Sequence, residues 1–144
     1  MADDRTGGAR RDRTGGGRRD ARERAVHLLY EADQRSSSVA DVLEGQVLPA
    51  DEYTDEVIRG VEAHRHELDD VISRLAEGWT IDRMPTMDRI VLEIGVYELA
   101  HRPDVPTAVV LNEAVELANQ YSTDDSGRFV NGVLAAAARE LRPE

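Results

Sequence analysis

Four arginines crowd one short stretch near the N-terminus: Arg18, Arg19, Arg22 and Arg24. Guanidinium groups pair with phosphate and stack on bases, so this set has the chemistry of nucleic-acid contact. The competing reading is a solubilising tail. A second set lies far along the chain, where Tyr121 and Phe129 flank a polar run, residues 122–127. Rings beside such a break can stack on splayed single-stranded bases; within a helix they more often fill a core. Phe129 is the only Phe in the chain and is the preferred stacking candidate, ahead of Tyr121 and of Tyr30 near the end of the first apolar pattern. Asp125, Ser126 and Arg128 surround it. Asp124, Asp125 and Ser126 also suit capping of a following helix.

Other residue types exclude chemistry. There is no Cys, which removes thiolate metal sites, disulfides and Cys nucleophiles, and suits a reducing cytoplasm. All 18 basic residues are Arg, so a Walker A lysine and a Schiff-base lysine are absent. His64 and His66 are two apart and face different sides of a helix, a poor metal pair; His27 and His101 stand isolated in sequence. No nucleophile elbow, glycine-rich phosphate loop or HExxH motif occurs. The expectation is a protein without catalysis, cofactor or metal.

The net charge of −11 is unevenly spread. Residues 1–24 carry eight Arg against five acids, a balance of +3, and residues 25–144 carry ten Arg against 24 acids, a balance of −14. A basic arm on an acidic body confines nucleic-acid contact to the neighbourhood of the arm, and the body suits a basic protein partner. Asp88 and Arg89, at the start of a helical pattern, are candidates for that partner if the helix start is exposed. The alternative is an intrahelical charge effect.

The elements that must position these residues are helical. Residues 1–19 lack an apolar pattern and are expected to be a disordered Arg/Gly-rich arm, with a helical domain over 20–144. A first helix is expected over about 20–34, where Ala25, Leu28, Leu29 and Ala32 share a face. Val39, Val42, Leu43 and Val47 predict a second, ending at Pro49. Asp51 can cap a third, and a fourth follows His64 and ends at Gly78. A fifth runs from Pro85 or Thr86 to about Arg102 and is apolar on nearly every side, which places it centrally. Pro106 opens a sixth, and the last follows residues 122–127. Asn112 and Asn131 are read as structural, with Asn131-Gly132 allowing close helix approach. Period-2 alternation is absent, so the fold class is all-α, a compact bundle of about seven helices. No run of about 18 apolar residues exists, and no membrane contact is expected.

Four segments together resemble the NusB family. They are Arg18-Arg19-Asp20-Ala21-Arg22-Glu23-Arg24-Ala25-Val26 with Leu29-Tyr30; Arg89-Ile90 through Val96-Tyr97-Glu98-Leu99; Asp104-Val105-Pro106; and Asn112 through Ala118 with Asp125-Ser126 and Phe129 through Leu134. They follow the family's order over roughly residues 18–142. Departures are a longer glycine-rich arm and an acidic residue at position 20, where a further Arg is common. The resemblance implies an all-helical factor that binds boxA single-stranded RNA of nascent transcripts, notably ribosomal RNA leaders. It implies a heterodimer with the small-subunit ribosomal protein NusE, acting in an antitermination complex on RNA polymerase in the cytoplasm. It supports RNA contact by Arg18, Arg19 and Arg22, places Asp125 at the RNA surface, and supports the side of Asp88 and Arg89 as the protein-binding face. Tyr30, Tyr121 and Phe129, with Ser126 and Arg128 beside the last, are RNA-binding candidates by their chemistry and position. A helical scaffold or homodimer without specific RNA binding is the alternative. An RNA-methyltransferase module is disfavoured because the chain carries no cofactor domain.

Overall fold

The computed structural model describes residues 16–143 and resolves the chain into two compact units, Met1–Ile58 and Arg59–Glu144. Seven α-helices and one 3-10 turn occur among the described residues, with no strand, as expected for an all-α fold. The first fifteen residues of the expected arm lie outside the described residues.

In the first unit, α1 (Gly16–Arg35) begins four residues before the expected start at Asp20. Its buried stripe contains Ala21, Ala25, Leu28, Leu29 and Ala32, the spacing of one helical face. The helix ends in a Schellman arrangement: Ser37 N–H donates to Ala32 O and Ser36 N–H to Asp33 O, with Ser36 in the left-handed region at φ 51°. Helix α2 (Val39–Glu44) is capped by Ser38, whose Oγ accepts from Asp41 N–H at 3.0 Å, and it buries Val39 and Val42. It stops well before Pro49, and Val47 is 97% exposed, so the expected longer second helix is corrected. The chain there is held instead by Arg24, whose guanidinium donates to Leu48 O and Pro49 O at 2.6 and 2.9 Å. Asp51 stands before α3 (Glu52–Ala63) and accepts the first helical bond, from Asp55 N–H, as expected of a cap. The buried Thr54 hydroxyl reaches Ala21 O at 3.0 Å.

The second unit takes the last turn of α3, then α4 (Arg65–Leu75), the 3-10 turn Ile81–Arg83, α5 (Thr86–His101), α6 (Thr107–Tyr121) and α7 (Asp124–Leu141). Every residue of α5 from Ile90 to Leu99 is buried, and the helix packs against α4, α6 and α7. The all-round apolar pattern demands this placement. Glycine allows the closest approach: a Cβ at Gly95 would stand 2.7 Å from Leu134 Cδ1 of α7. Gly132, expected to serve that purpose, faces open space, and Asn112 and Asn131 are exposed rather than buried; the reading is corrected in both respects.

Arg142 closes the end of α5. Its guanidinium donates to Glu98 O, Leu99 O, Arg102 O, Val105 O and Thr107 Oγ1, at 2.7 to 3.1 Å. These bonds add a donor to carbonyls at the end of α5 and tie them to the segment that leads into α6. No helix among the described residues is long and apolar enough to cross a membrane.

Candidate nucleic-acid interface

The polar run before the last helix is shorter than its composition implies. Thr123 is the N-cap of α7: its hydroxyl accepts from Ser126 N–H, and Ser126 Oγ accepts in return from Thr123 N–H. This capping box turns Asp124, Asp125, Ser126 and Gly127 into the first turn of a helix, so residues 122–127 are not a loop. Phe129 therefore sits within α7, six residues beyond the cap. That suits a ring meant to hold one orientation.

Across from it lies Trp79, placed by the turn after α4. Gly78 takes φ 81°, a conformation that glycine adopts without strain, and Trp79 N–H donates back to Ala76 O. The Trp79 and Phe129 rings stand 6.1 Å apart at 59°. Together with Pro85, Asp88, Thr123, Asp125 and Ser126 they line a cleft of about 310 Å³. Trp79 carried no local signal in the sequence.

Asp88, in the first turn of α5, is only 3% exposed. Its Oδ2 accepts from Ser126 Oγ at 3.0 Å, while Oδ1 is buried without a hydrogen-bond partner. A buried carboxylate oxygen without a donor is costly. The exposed start that would offer Asp88 to a basic protein is thus not present. Arg89 is half-buried and turned to the buried Glu93 carboxylate, 3.3 Å from both of its oxygens.

Burial pushes Glu93 up to about 8, helped by its hydrogen bond with Asp69 and by the Asp69 charge. The guanidiniums of Arg65 and Arg89 pull the other way and do not prevail.

On the rim of the cleft, Asp125 pairs with Arg128 at 2.8 Å, both side chains more than four-fifths exposed. Exposed pairs of this kind contribute little to stability and exchange partners readily. Tyr121 is half-buried, accepts from Gln120 Nε2 at 3.2 Å, and does not line the cleft.

The basic cluster belongs to the first unit. Arg18 lies over the Tyr53 ring at 4.5 Å, and Arg22 stands 5.7 Å from the same ring. Arg22 is 2% exposed, so its reading as a phosphate-facing side chain is corrected: it is a buried residue of α1. Arg19 and Tyr30 are exposed. Of the anticipated residues, then, Asp125, Ser126, Arg128 and Phe129 gather at one cleft of the second unit, and Arg18, Arg19 and Tyr30 remain accessible or half-accessible on α1.

Comparison with known proteins follows the same outline. The family model described as "NusB family" matches residues 19–139. The protein called "Transcription antitermination protein NusB" from Saccharopolyspora erythraea is 51% identical over 124 residues, covering 82% of this chain and 84% of that protein. Its namesake in Kineococcus radiotolerans is 46% identical over 122 residues, with 82% and 90% covered. Among solved structures, T. maritima NusB superposes with a TM-score of 0.78 at 35% identity, over 88% of this chain and 93% of that one. A structure described as antitermination factors NusB and NusE in complex with dsRNA matches with a TM-score of 0.74 at 28% identity, over 85% and 96%.

Proposed function

The chain belongs to the NusB family, and from that premise we propose that it is a transcription antitermination factor that binds boxA-type RNA together with NusE. The observation that carries the local part of this reading is the Trp79–Phe129 cleft with the buried, half-satisfied Asp88 carboxylate in its lining. Two rings offer stacking surface to an unstacked base, worth about 1–3 kcal/mol per base. The Asp88 carboxylate accepts from Ser126 Oγ and so holds the first turn of α7, which carries Asp125 and leads to Phe129, against the start of α5. Arg128 on the rim supplies guanidinium charge for phosphate. The first unit separately carries the guanidiniums of Arg18 and Arg19, which can contact the same RNA elsewhere along its backbone. Asp125 opposes phosphate at the same rim and moderates the affinity. Nothing in this reading requires a reaction, and the family is one of antitermination factors rather than of named catalysts.

Because Trp79 is the only tryptophan, its fluorescence reports on the cleft alone. Titration with a boxA-like RNA is expected to quench Trp79 emission, and a scrambled RNA of equal length is not. Phe129→Ala should weaken boxA-like binding by about tenfold. Equal quenching by both RNAs, or none by either, contradicts the assignment of the cleft.

A further inference from the structure

His101 is not isolated in the fold. The last turn of α5 brings it to the corner between α3 and α4, where His64 precedes α4 and Glu67 occupies its first turn. The Glu67 carboxylate is shared: Oε1 lies 3.2 Å from His64 Nδ1, and Oε2 lies 3.2 Å from His101 Nε2. The two imidazoles stack with centroids 4.1 Å apart. One potential donor atom from each of the three residues lies within 4.8 Å of the others. We propose that His64, Glu67 and His101 form a binding site for a divalent cation of the zinc class.

Three observations carry this. The donor set is two imidazole nitrogens and one carboxylate oxygen, which suits zinc and its first-row neighbours and not the all-oxygen preference of magnesium or calcium. The spacing fits as well. Around a tetrahedral zinc with bonds of about 2.0–2.1 Å, neighbouring donors stand about 3.3–3.4 Å apart. The carboxylate-to-imidazole separations, 3.2 Å to each of the two Glu67 oxygens, lie close to that length, and the three donor atoms stand within 4.8 Å of one another, so small side-chain rotations bring them to it. The site is also held in place before any ion arrives: the buried Tyr97 ring stacks on His101 at 5.4 Å, and Gly60 leaves room for Tyr97, since a Cβ there would stand 2.3 Å from that ring.

In the metal-free hydrogen-bonded arrangement each imidazole must carry a proton on the nitrogen that faces Glu67. A dication bound at the same point takes up the lone pairs of those two nitrogens, and the proton of each neutral imidazole moves to its other ring nitrogen. All three side chains reach solvent, so the ion has an entry path and water completes the coordination. The bound ion ties the α3–α4 corner to the C-terminal end of α5. The balance of −14 over residues 25–144 favours accumulation of cations near it.

The full-length chain, stripped with a chelator and dialysed, is titrated with Co²⁺ followed by visible absorption, then with Zn²⁺ in competition. One equivalent should bind with the d–d spectrum of four- or five-coordinate cobalt, and zinc should displace it. Zinc in hundredfold excess over its Kd should raise Tm by about 5 °C or more. His64→Ala and His101→Ala should each abolish the spectrum, and Glu67→Gln should weaken binding at least tenfold. His66→Ala and His27→Ala, which remove the chain's other two histidines, should change neither. Circular dichroism of each variant separates loss of the site from loss of the fold. Absence of a stoichiometric cobalt complex in the parent overturns the proposal, as does a complex that survives the His64→Ala/His101→Ala double substitution.

Discussion

Ser126 donates its hydroxyl to Asp88 Oδ2 at 3.0 Å, fastening the first turn of α7 to the first turn of α5. The two residues are 38 positions apart, and their bond sets the floor of the cleft between Trp79 and Phe129. Ser126→Ala would leave both Asp88 oxygens buried without donors and would remove half of the capping box. Loss of about 1–3 kcal/mol of stability is expected in urea unfolding. A change under about 0.5 kcal/mol, the usual range of a surface substitution, would show that the bond does not hold the cleft.

Asp125→Asn removes a carboxylate from the rim and releases Arg128 from its 2.8 Å pair. Both effects favour phosphate. The Kd for boxA-like RNA should fall several-fold, with a steeper dependence on salt as Arg128 gains a phosphate contact. Unchanged or weaker binding would remove Asp125 from the account.

Stability should fall from mildly acid to alkaline pH through Glu93. The unfolded side chain ionises near 4.5, and the folded one only near 8. Between those values the folded chain holds a proton that the unfolded chain has lost. The contribution is therefore complete below about pH 4.5 and is lost as pH rises through 8. Glu93→Gln keeps an amide where the neutral acid stood and removes the titration. Its stability relative to the parent should improve by on the order of 1–3 kcal/mol between pH 5 and pH 8.5, read by urea unfolding at both. Parallel pH profiles for the two chains would place the titrating group elsewhere.

Ser36 holds the left-handed position that ends α1, at φ 51°. Glycine adopts that region without steric penalty, so Ser36→Gly should stabilise the chain by about 0.5–1 kcal/mol despite its greater freedom when unfolded. The measurement is the urea midpoint. A lower midpoint would mean that the Ser36 side chain contributes more than its backbone costs.

Helices whose signals are local were legible in the sequence. The apolar residues on nearly every side of the segment from Ile90 to Leu99 announced a buried α5, and Pro106 marked the start of α6. Errors arose where composition alone is ambiguous. Val47 looked like a continuation of an apolar face but is almost fully exposed, since the chain leaves the helix at Gly45. Asp, Ser and Gly read as a break at residues 122–127 because the same groups that build turns also build N-caps. Only the Thr123–Ser126 reciprocity decides between the two.

The site was half legible. Asp125, Ser126, Arg128 and Phe129 fall within five consecutive residues and could be grouped from spacing. Trp79 lies fifty positions before Phe129, and nothing near it in the chain marks it as that ring's neighbour. Asp88 looked like an exposed helix-start charge because its partner, Ser126, is remote in sequence. The same limit hid the meeting of His64 and His101. Arg22 falls among other arginines, yet only the fold turns it inward.

The central claim is that this chain recognises boxA-type RNA jointly with NusE. Its most direct test is the Kd of the full-length protein for boxA-like and scrambled RNA, with and without NusE, at low and high salt. The account predicts that NusE tightens binding of the boxA-like RNA alone, and that a preference for this RNA persists at high salt. Equal affinity for both RNAs that collapses with salt and ignores NusE would contradict it, leaving only a basic segment that attracts any phosphate chain.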